Sequence, residues 1–144
     1  MDKLPIDYAK TLLELKQKIN QSKYESLKAV NKELILMYLD IGKVISEKIK
    51  VGWGSSVIDT LSKDLQSYYP GLKGFSSRNL YRMKLIFEEI ANFSISPQLV
   101  AKLPWGHSDL IFSKINNTEQ RLFYIQRCIE RGWSRGILEE EIKT

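Results

Sequence analysis

Cysteine and histidine are almost absent from this sequence, which contains one of each among its 144 residues. The single cysteine, Cys128, cannot form an intramolecular disulfide, and it excludes zinc or iron–sulfur sites built from several cysteines of this chain. The single histidine, His107, excludes a histidine-rich metal site in the same way. We therefore expect neither a metal nor another cofactor. A lone thiol is also typical of a reducing compartment such as the cytoplasm.

Long apolar segments are lacking as well. No run approaches the roughly 18 consecutive apolar residues of a membrane-spanning helix, and residues 1–7 lack the apolar stretch of a signal peptide. We expect a soluble, cytoplasmic protein with no membrane partner. The excess of positive charge is small, because 22 Lys and Arg against 17 Asp and Glu give a net charge of +5. Such an excess permits nucleic-acid binding but does not require it.

Catalytic motifs are missing from the sequence. It has no glycine-rich phosphate loop, no metal-ligand spacing and no nucleophile motif. His107 is followed directly by Ser108 and Asp109, but residues adjacent in sequence do not face one another as a catalytic triad does. A hydrogen bond in a turn or at a helix end is the expected role of this histidine. We expect no catalytic residues and no enzymatic activity in this chain.

What the sequence does contain is apolar residues at helical spacing along most of its length. The pattern predicts an amphipathic helix over residues 8–20 and one long helix over residues 24–50. Gly42 lies inside the long helix, where a glycine costs roughly 1 kcal/mol relative to alanine, so we expect another helix to approach closely there. The predicted fold class is an all-α, multi-helix bundle.

Residues 55–91 have the outline of a helix-turn-helix. Ser55 or Ser56 can cap a first helix, which the Pro70-Gly71 pair and Gly74 end. Ser76 can cap a second helix that reaches about residue 91. The predicted buried stripe of this second helix consists of Leu80, Met83, Phe87 and Ile90.

Shorter helices are predicted after residues 92–96, which we interpret as a boundary between subdomains 1–91 and 96–144 of a single domain. Pro97 suits a first helical turn, residues 118–121 resemble a capping box, and Ser134 can cap the last helix. Each of the three tryptophans is next to a glycine. We expect these rings to fill gaps at helix junctions, with base stacking as the alternative.

The most distinctive local feature is the segment 73–84, which contains four basic residues and no acidic one. It spans the turn and the first two turns of the second helix, and helical spacing places Arg78 and Arg82 together on the solvent face. A helix N-terminus suits a phosphate, and Arg and Asn are residue types that read guanine and adenine. The alternative is an ordinary solvated helix face. The predicted DNA-binding residues are Lys73, Ser76, Arg78, Asn79, Tyr81, Arg82 and Lys84.

Several short motifs occur together in one order along the chain. They are Tyr38 with Ile41-Gly42, then Trp53-Gly54, Gly74-Phe75-Ser76 with Arg78-Asn79-Leu80, Leu103-Pro104-Trp105-Gly106-His107, and Gly132-Trp133-Ser134-Arg135. In this order and spacing they resemble the N-terminal domain of the YhcG family of bacterial proteins. The resemblance implies a helical module that usually precedes a PD-(D/E)XK nuclease domain, whose own motif does not occur in this sequence.

Together, the basic segment and the resemblance predict a non-catalytic, DNA-binding accessory domain. Its expected role is to position a nuclease domain that is fused to it or supplied in trans. The alternative is a protein-interaction or homodimerisation module, for which the motive is the long helix over residues 24–50 with Gly42 permitting close approach.

Overall fold

The computed structural model describes the backbone of Ile6 and of residues 8–144, and the side chains of Ile6, Leu13 and residues 28–144. Within these residues the chain forms seven helices and no strand, which confirms the predicted all-α class. The helices are α1 (Tyr8–Lys50), α2 (Ser55–Tyr68), α3 (Ser77–Asn92), α4 (Pro97–Val100), α5 (Trp105–Lys114), α6 (Thr118–Arg131) and α7 (Arg135–Lys143). None of them is both long and apolar enough to cross a membrane in the part of the chain described.

The helix α1 differs from the prediction of two separate helices over residues 8–20 and 24–50. It is continuous over 43 residues. The residues between the two predicted helices contain neither glycine nor proline, so nothing there interrupts the backbone hydrogen bonds. The structure does not describe the side chains at the predicted apolar positions of residues 8–20.

Helix N-termini match the predictions in part. Ser76 and Ser134 cap α3 and α7, where each hydroxyl accepts a hydrogen bond from the backbone N–H three residues later. Pro97 opens α4 as predicted. Two assignments are wrong by one residue: Gly54 rather than a serine precedes α2, and Asn117 caps α6 ahead of the predicted capping box.

The closest helix packing joins α1 and α3 at Gly42. A Cβ built on this glycine would lie 2.6 Å from the carbonyl carbon of Met83 and 3.0 Å from the backbone nitrogen of Lys84. Only a residue without a side chain allows the two backbones to come this close. The expected close approach at Gly42 is therefore confirmed, and the approaching helix belongs to the same chain.

The core is a single cluster of buried residues, supplied by helices from α1 to α7 and the loops between them. From α3, the predicted Leu80, Met83 and Ile90 are buried, while Phe87 is only half-buried and Ile86 takes its place. Cys128 is buried among these residues as expected, and burial raises the pKa of its thiol to about 11.

Contacts within this core cross the predicted subdomain boundary at residues 92–96. The Asn31 side-chain amide on α1 donates hydrogen bonds to the carbonyl oxygens of Ala101, at 3.3 Å, and Leu103, at 3.1 Å. Ile95, inside the predicted boundary, is itself buried. The first helix and the segment after α4 are thus tied together directly.

We predict that Gly42→Ala destabilises the protein by about 1–3 kcal/mol, because the new methyl group collides with backbone atoms of α3 that cannot rotate away. Helix propensity alone would favour alanine by about 1 kcal/mol. Urea unfolding monitored by circular dichroism measures the difference.

Gly136→Ala is the matched control for this variant, since a Cβ on Gly136 in α7 would meet only the Ser134 hydroxyl, at 3.9 Å. This control should be neutral or slightly stabilising. Equal stability of the Gly42 and Gly136 variants would contradict the close packing of α1 on α3.

Candidate nucleic-acid interface

The seven predicted DNA-binding residues lie in the loop before α3 and on its first two turns. Lys73 and Arg78 are exposed, and neither side chain forms an ion pair or hydrogen bond with another residue that the structure describes. Ser76 is exposed and uses its hydroxyl to cap α3, accepting from the Asn79 backbone N–H at 3.2 Å. The cationic groups of Lys73 and Arg78 therefore remain available to an external anion.

Asn79 has its side-chain amide engaged on both sides. Its Nδ2 donates to the carbonyl oxygen of Gly74 at 2.7 Å, and its Oδ1 accepts from the indole Nε1 of Trp105 at 2.8 Å. The second bond joins the start of α3 to the first residue of α5. Asn79 therefore holds two helix N-termini together, and its amide is already occupied in this structure.

Tyr38 on α1 contacts the loop that precedes α3. Its hydroxyl donates to the Lys73 carbonyl oxygen at 3.2 Å, and its ring meets Trp105 edge-on with 5.1 Å between centroids. Burial raises the pKa of this phenol. Gly74 has a φ of 101° and packs against the Tyr38 ring, since a Cβ there would lie 2.8 Å from the ring carbon that bears the hydroxyl. The backbone around Lys73 is thereby held against α1.

The sequence predicted that Arg82 lies with Arg78 on the solvent face, but in the structure Arg82 is covered. Its Nε donates to the Asp109 carboxylate, its Nη2 donates to the Asp109 carbonyl oxygen at 3.3 Å, and its side chain is only 19% exposed. Helical spacing places Arg82 correctly on the side away from the core stripe, but it contains no information about α5, which covers that side.

Two further predicted residues also have neighbours within the chain. Tyr81 is half-buried and packs against the core. The ammonium group of Lys84 pairs with Glu88 at 2.6 Å, and this carboxylate also accepts a hydrogen bond from Ser46 at 3.3 Å. Whether these residues touch DNA stays a prediction.

A second connection joins α5 to α7. The Nε2 atom of His107 lies 2.8 Å from the carbonyl oxygen of Trp133. Because a carbonyl can only accept, this nitrogen carries the proton. Beside it, the exposed Arg135 lies against Gly106, where a built Cβ would be 3.7 Å from the Nη1 atom. His107 thus forms a structural hydrogen bond, but with a residue distant in sequence rather than within the expected turn or helix cap.

These connections bring the N-termini of three helices, α3, α5 and α7, to one region. We call it the three-helix surface, and its exposed cations are Lys73, Arg78 and Arg135. The acidic group beside it is Asp59 on α2, which accepts a hydrogen bond from the Ser77 hydroxyl at 2.7 Å. Backbone N–H groups at helix N-termini add partial positive charge. The region therefore combines three helix ends with three cations that form no ion pair with any residue the structure describes.

Sequence reasoning missed Arg135 as a member of this surface. The available signal was the repeated pattern of glycine, tryptophan and serine before α2 and α7, but no local pattern shows that α7 starts beside α5. The tryptophans behave as predicted, since all three are partly buried and pack against the core.

A helix-turn-helix is not evident in the geometry of α2 and α3. The connection between them occupies residues 69–76, longer than the turn of about three or four residues typical of that motif. Arg78 in the first turn of α3 has no ion-pair partner among the described residues, whereas α5 covers the following turn at Arg82.

Arg121 on α6 is a buried cation that the sequence analysis overlooked. It is 3% exposed, donates to the carbonyl oxygens of Ile115 at 2.6 Å and Phe112 at 3.3 Å, and pairs with Glu89 at 3.1 Å. It thereby satisfies the last carbonyl groups of α5 and the loop after it. This arginine ties α6 to α5 and α3 and is not available for binding.

Among the described residues, no group of three or more His, Cys, Asp or Glu side chains is placed to hold a metal ion.

We predict that Asn79→Ala lowers the free energy of unfolding by about 1–3 kcal/mol, because it leaves the Trp105 indole N–H and the Gly74 carbonyl without their partners. Its neighbour provides the control: Arg78→Ala should change stability by less than about 0.5 kcal/mol. Thermal or urea unfolding of both variants checks the difference. A stable Asn79 variant would argue against a positioning role for this amide.

Comparison with known proteins gives one match. The family model described as the DUF1016 N-terminal domain matches residues 14–144. No curated protein and no solved structure matches the chain. The matched family is the YhcG N-terminal family whose motifs the sequence resembles. Of the three exposed cations of the three-helix surface, Arg78 and Arg135 lie in those motifs. The chain belongs to the DUF1016 N-terminal domain family.

Proposed function

We propose that this domain binds duplex DNA through the three-helix surface. The observation that carries the proposal is a set of three exposed cations that have no ion-pair partner among the described residues: Lys73, Arg78 and Arg135. The Asn79–Trp105 and His107–Trp133 hydrogen bonds gather them at three helix N-termini. Cationic side chains and helix N-termini are the usual ligands of DNA phosphates. The surface is thus suited to the DNA backbone.

The geometry favours phosphate contacts over base reading. In this structure the groups best suited to read base edges, the Asn79 amide and the Arg82 guanidinium, are engaged with Trp105 and Asp109. Base reading needs free donors and acceptors directed into a groove. We therefore propose binding with little sequence preference, in which Asn79 and Arg82 position the elements that carry the free cations.

The proposed biological role is that of an accessory domain. Such a surface would hold a PD-(D/E)XK nuclease domain, fused or in trans, near its DNA substrate. This part of the proposal rests on the resemblance to the YhcG family.

The alternative role is that of a protein-interaction module. The sequence analysis based this alternative on Gly42 in the long helix, but the structure supports it through other residues. Gly42 is occupied by α3 of the same chain, so it does not offer a contact site to a second molecule. The observation that favours an interaction role is the set of exposed apolar side chains on α1, which include Val30 and Val44.

We expect the chain to bind a duplex oligonucleotide at low salt, with an affinity that falls as salt rises because bound cations are released from the DNA. Each phosphate contact contributes about −0.9 to the slope of log K against log salt. The variant with Lys73, Arg78 and Arg135 all changed to alanine should bind more weakly and have a slope shallower by roughly one unit per lost contact. Fluorescence anisotropy over a series of KCl concentrations measures both quantities.

Lys114→Ala is the matched control, since Lys114 is an exposed cation at the opposite end of α5. It removes one positive charge but lies away from the three-helix surface, so affinity and slope should stay near those of the unmodified chain. An unmodified chain that fails to bind at low salt would overturn the proposal. Equal loss of binding in the control and in Arg78→Ala would show a nonspecific charge effect and would also overturn the assigned surface.

A further inference from the structure

A group of exposed apolar side chains lies between α2 and α3, on the segment of the chain that leads to Lys73. The group consists of Tyr68, which is the last residue of α2, together with Tyr69 and Leu72. Their exposed fractions are 80%, 52% and 54%. A single exposed apolar residue is ordinary, but a contiguous group is typical of a contact surface. We call these three residues the tyrosine patch.

A turn of the backbone holds two members of the patch together. The backbone N–H of Leu72 donates to the carbonyl oxygen of Tyr69 at 3.0 Å, with Pro70 as the second residue of the turn. Proline restricts the backbone at this position of a turn. The Cα atoms at the two ends of such a turn lie within about 7 Å of each other. The side chains of Tyr69 and Leu72 are therefore neighbours.

Three aromatic rings lead from the core to the patch. Phe75 is buried, and its carbonyl oxygen accepts hydrogen bonds from Ser62 at 2.6 Å and from Gln66 at 3.4 Å. The ring centroid of Tyr69 lies 6.3 Å from that of Phe75, and the ring centroid of Tyr68 lies 6.5 Å from that of Tyr69. Side chains supported in this way lose less conformational freedom on binding than isolated ones.

The charge next to the patch is positive on one side. Lys73 follows Leu72 directly, and its backbone is held by the hydrogen bond from Tyr38. Residues 65–87 contain no acidic side chain, whereas Asp64 precedes Tyr68 by one helical turn. An anionic ligand would therefore meet the patch from the side of Leu72 and Lys73, where the patch is continuous with the three-helix surface.

A ligand that combines phosphates with flat apolar groups fits this arrangement. In a DNA duplex the faces of the bases are covered by neighbouring base pairs, and only their edges are accessible. Bases of a single strand expose their faces, and tyrosine rings beside cations are a usual platform for them. The three tryptophans cannot serve this purpose fully because they pack against the core. Tyr68 and Tyr69 are the exposed rings beside Lys73.

We propose that the tyrosine patch stacks on unpaired bases, so that the preferred substrate is a duplex from which a single strand continues. The inference rests on the proposed function for the duplex part, whose phosphates would contact the cations of the three-helix surface. The patch would then hold the first bases of the single strand. Stacking tolerates every base, so this preference concerns the structure of the DNA and not its sequence.

Fluorescence anisotropy with three DNA probes tests the proposal. They are a blunt duplex, the same duplex extended by a single-stranded oligo-dT tail, and the oligo-dT strand alone. At one KCl concentration, the whole chain should bind the tailed duplex about tenfold more tightly than the blunt one. Because the tail also adds phosphates, the part that stacking contributes is measured with variants of the patch.

Tyr68→Ala should lose most of the preference for the tailed duplex and keep its affinity for the blunt one. Since Tyr68 is 80% exposed, circular dichroism should show an unchanged helical content. Tyr68→Phe keeps the ring and should keep the preference. Phe93→Ala is the matched control, because Phe93 is a 50% exposed ring at the opposite end of α3. It should bind all three probes as the unmodified chain does.

The outcomes separate this proposal from the one on which it rests. Equal preference for the tailed duplex in the Tyr68→Ala and Phe93→Ala variants would overturn the tyrosine patch and leave duplex binding intact. Binding of the tailed duplex but not the blunt one, with loss in Tyr68→Ala, would support the patch and contradict the duplex surface. A chain that binds none of the three probes at low salt would overturn both.

Discussion

The close contact of α1 with α3 at Gly42 is the constraint on which the rest of this structure depends. Because no side chain separates the two backbones, the contact of Gly42 with the Met83 backbone fixes the position of α3 along α1. That position places the start of α3 next to Tyr38, which holds the preceding loop, and next to Trp105, which begins α5. The three-helix surface is therefore built outwards from a single packing contact.

Charge on this domain is divided between cations that hold helices together and cations that remain free. Arg82 and Arg121 form ion pairs under partial or complete burial, where leaving a partner unpaired is costly, and each joins two or more helices. Arg78 and Arg135 are exposed and form no ion pair within the described part of the chain. The basic segment thus serves two purposes, and only part of its charge is available to a polyanion. This division is why the small net charge of the chain says little about its capacity to bind DNA.

The helix α1 carries buried and exposed apolar side chains. One face, which includes Ile35 and Ile45, is buried in the core, whereas Val30 and Val44 are apolar residues that stay exposed. A helix that served only its own domain would need a single apolar stripe.

Much of the fold follows from local interactions that can be predicted directly from the sequence. Helical spacing, serine caps at Ser76 and Ser134, and the glycine in α1 predict the all-α class, several helix starts and the close packing correctly. The break between residues 20 and 24 and the cap before α2 are wrong, because a weakening of the apolar pattern does not by itself interrupt a helix and because a glycine can precede one.

The candidate site was predictable only in part. The segment 73–84 lies at one of the three helix ends of the proposed surface, but spacing along one helix cannot show that α5 covers Arg82 or that α7 brings Arg135 to the same surface. Sequence by itself determined which residues could be helical, capped or charged, since those properties depend on near neighbours in the chain. Tertiary structure alone decided which charges are paired and which remain free, because pairing depends on side chains that are distant in sequence, such as Asp109 for Arg82 and Glu89 for Arg121.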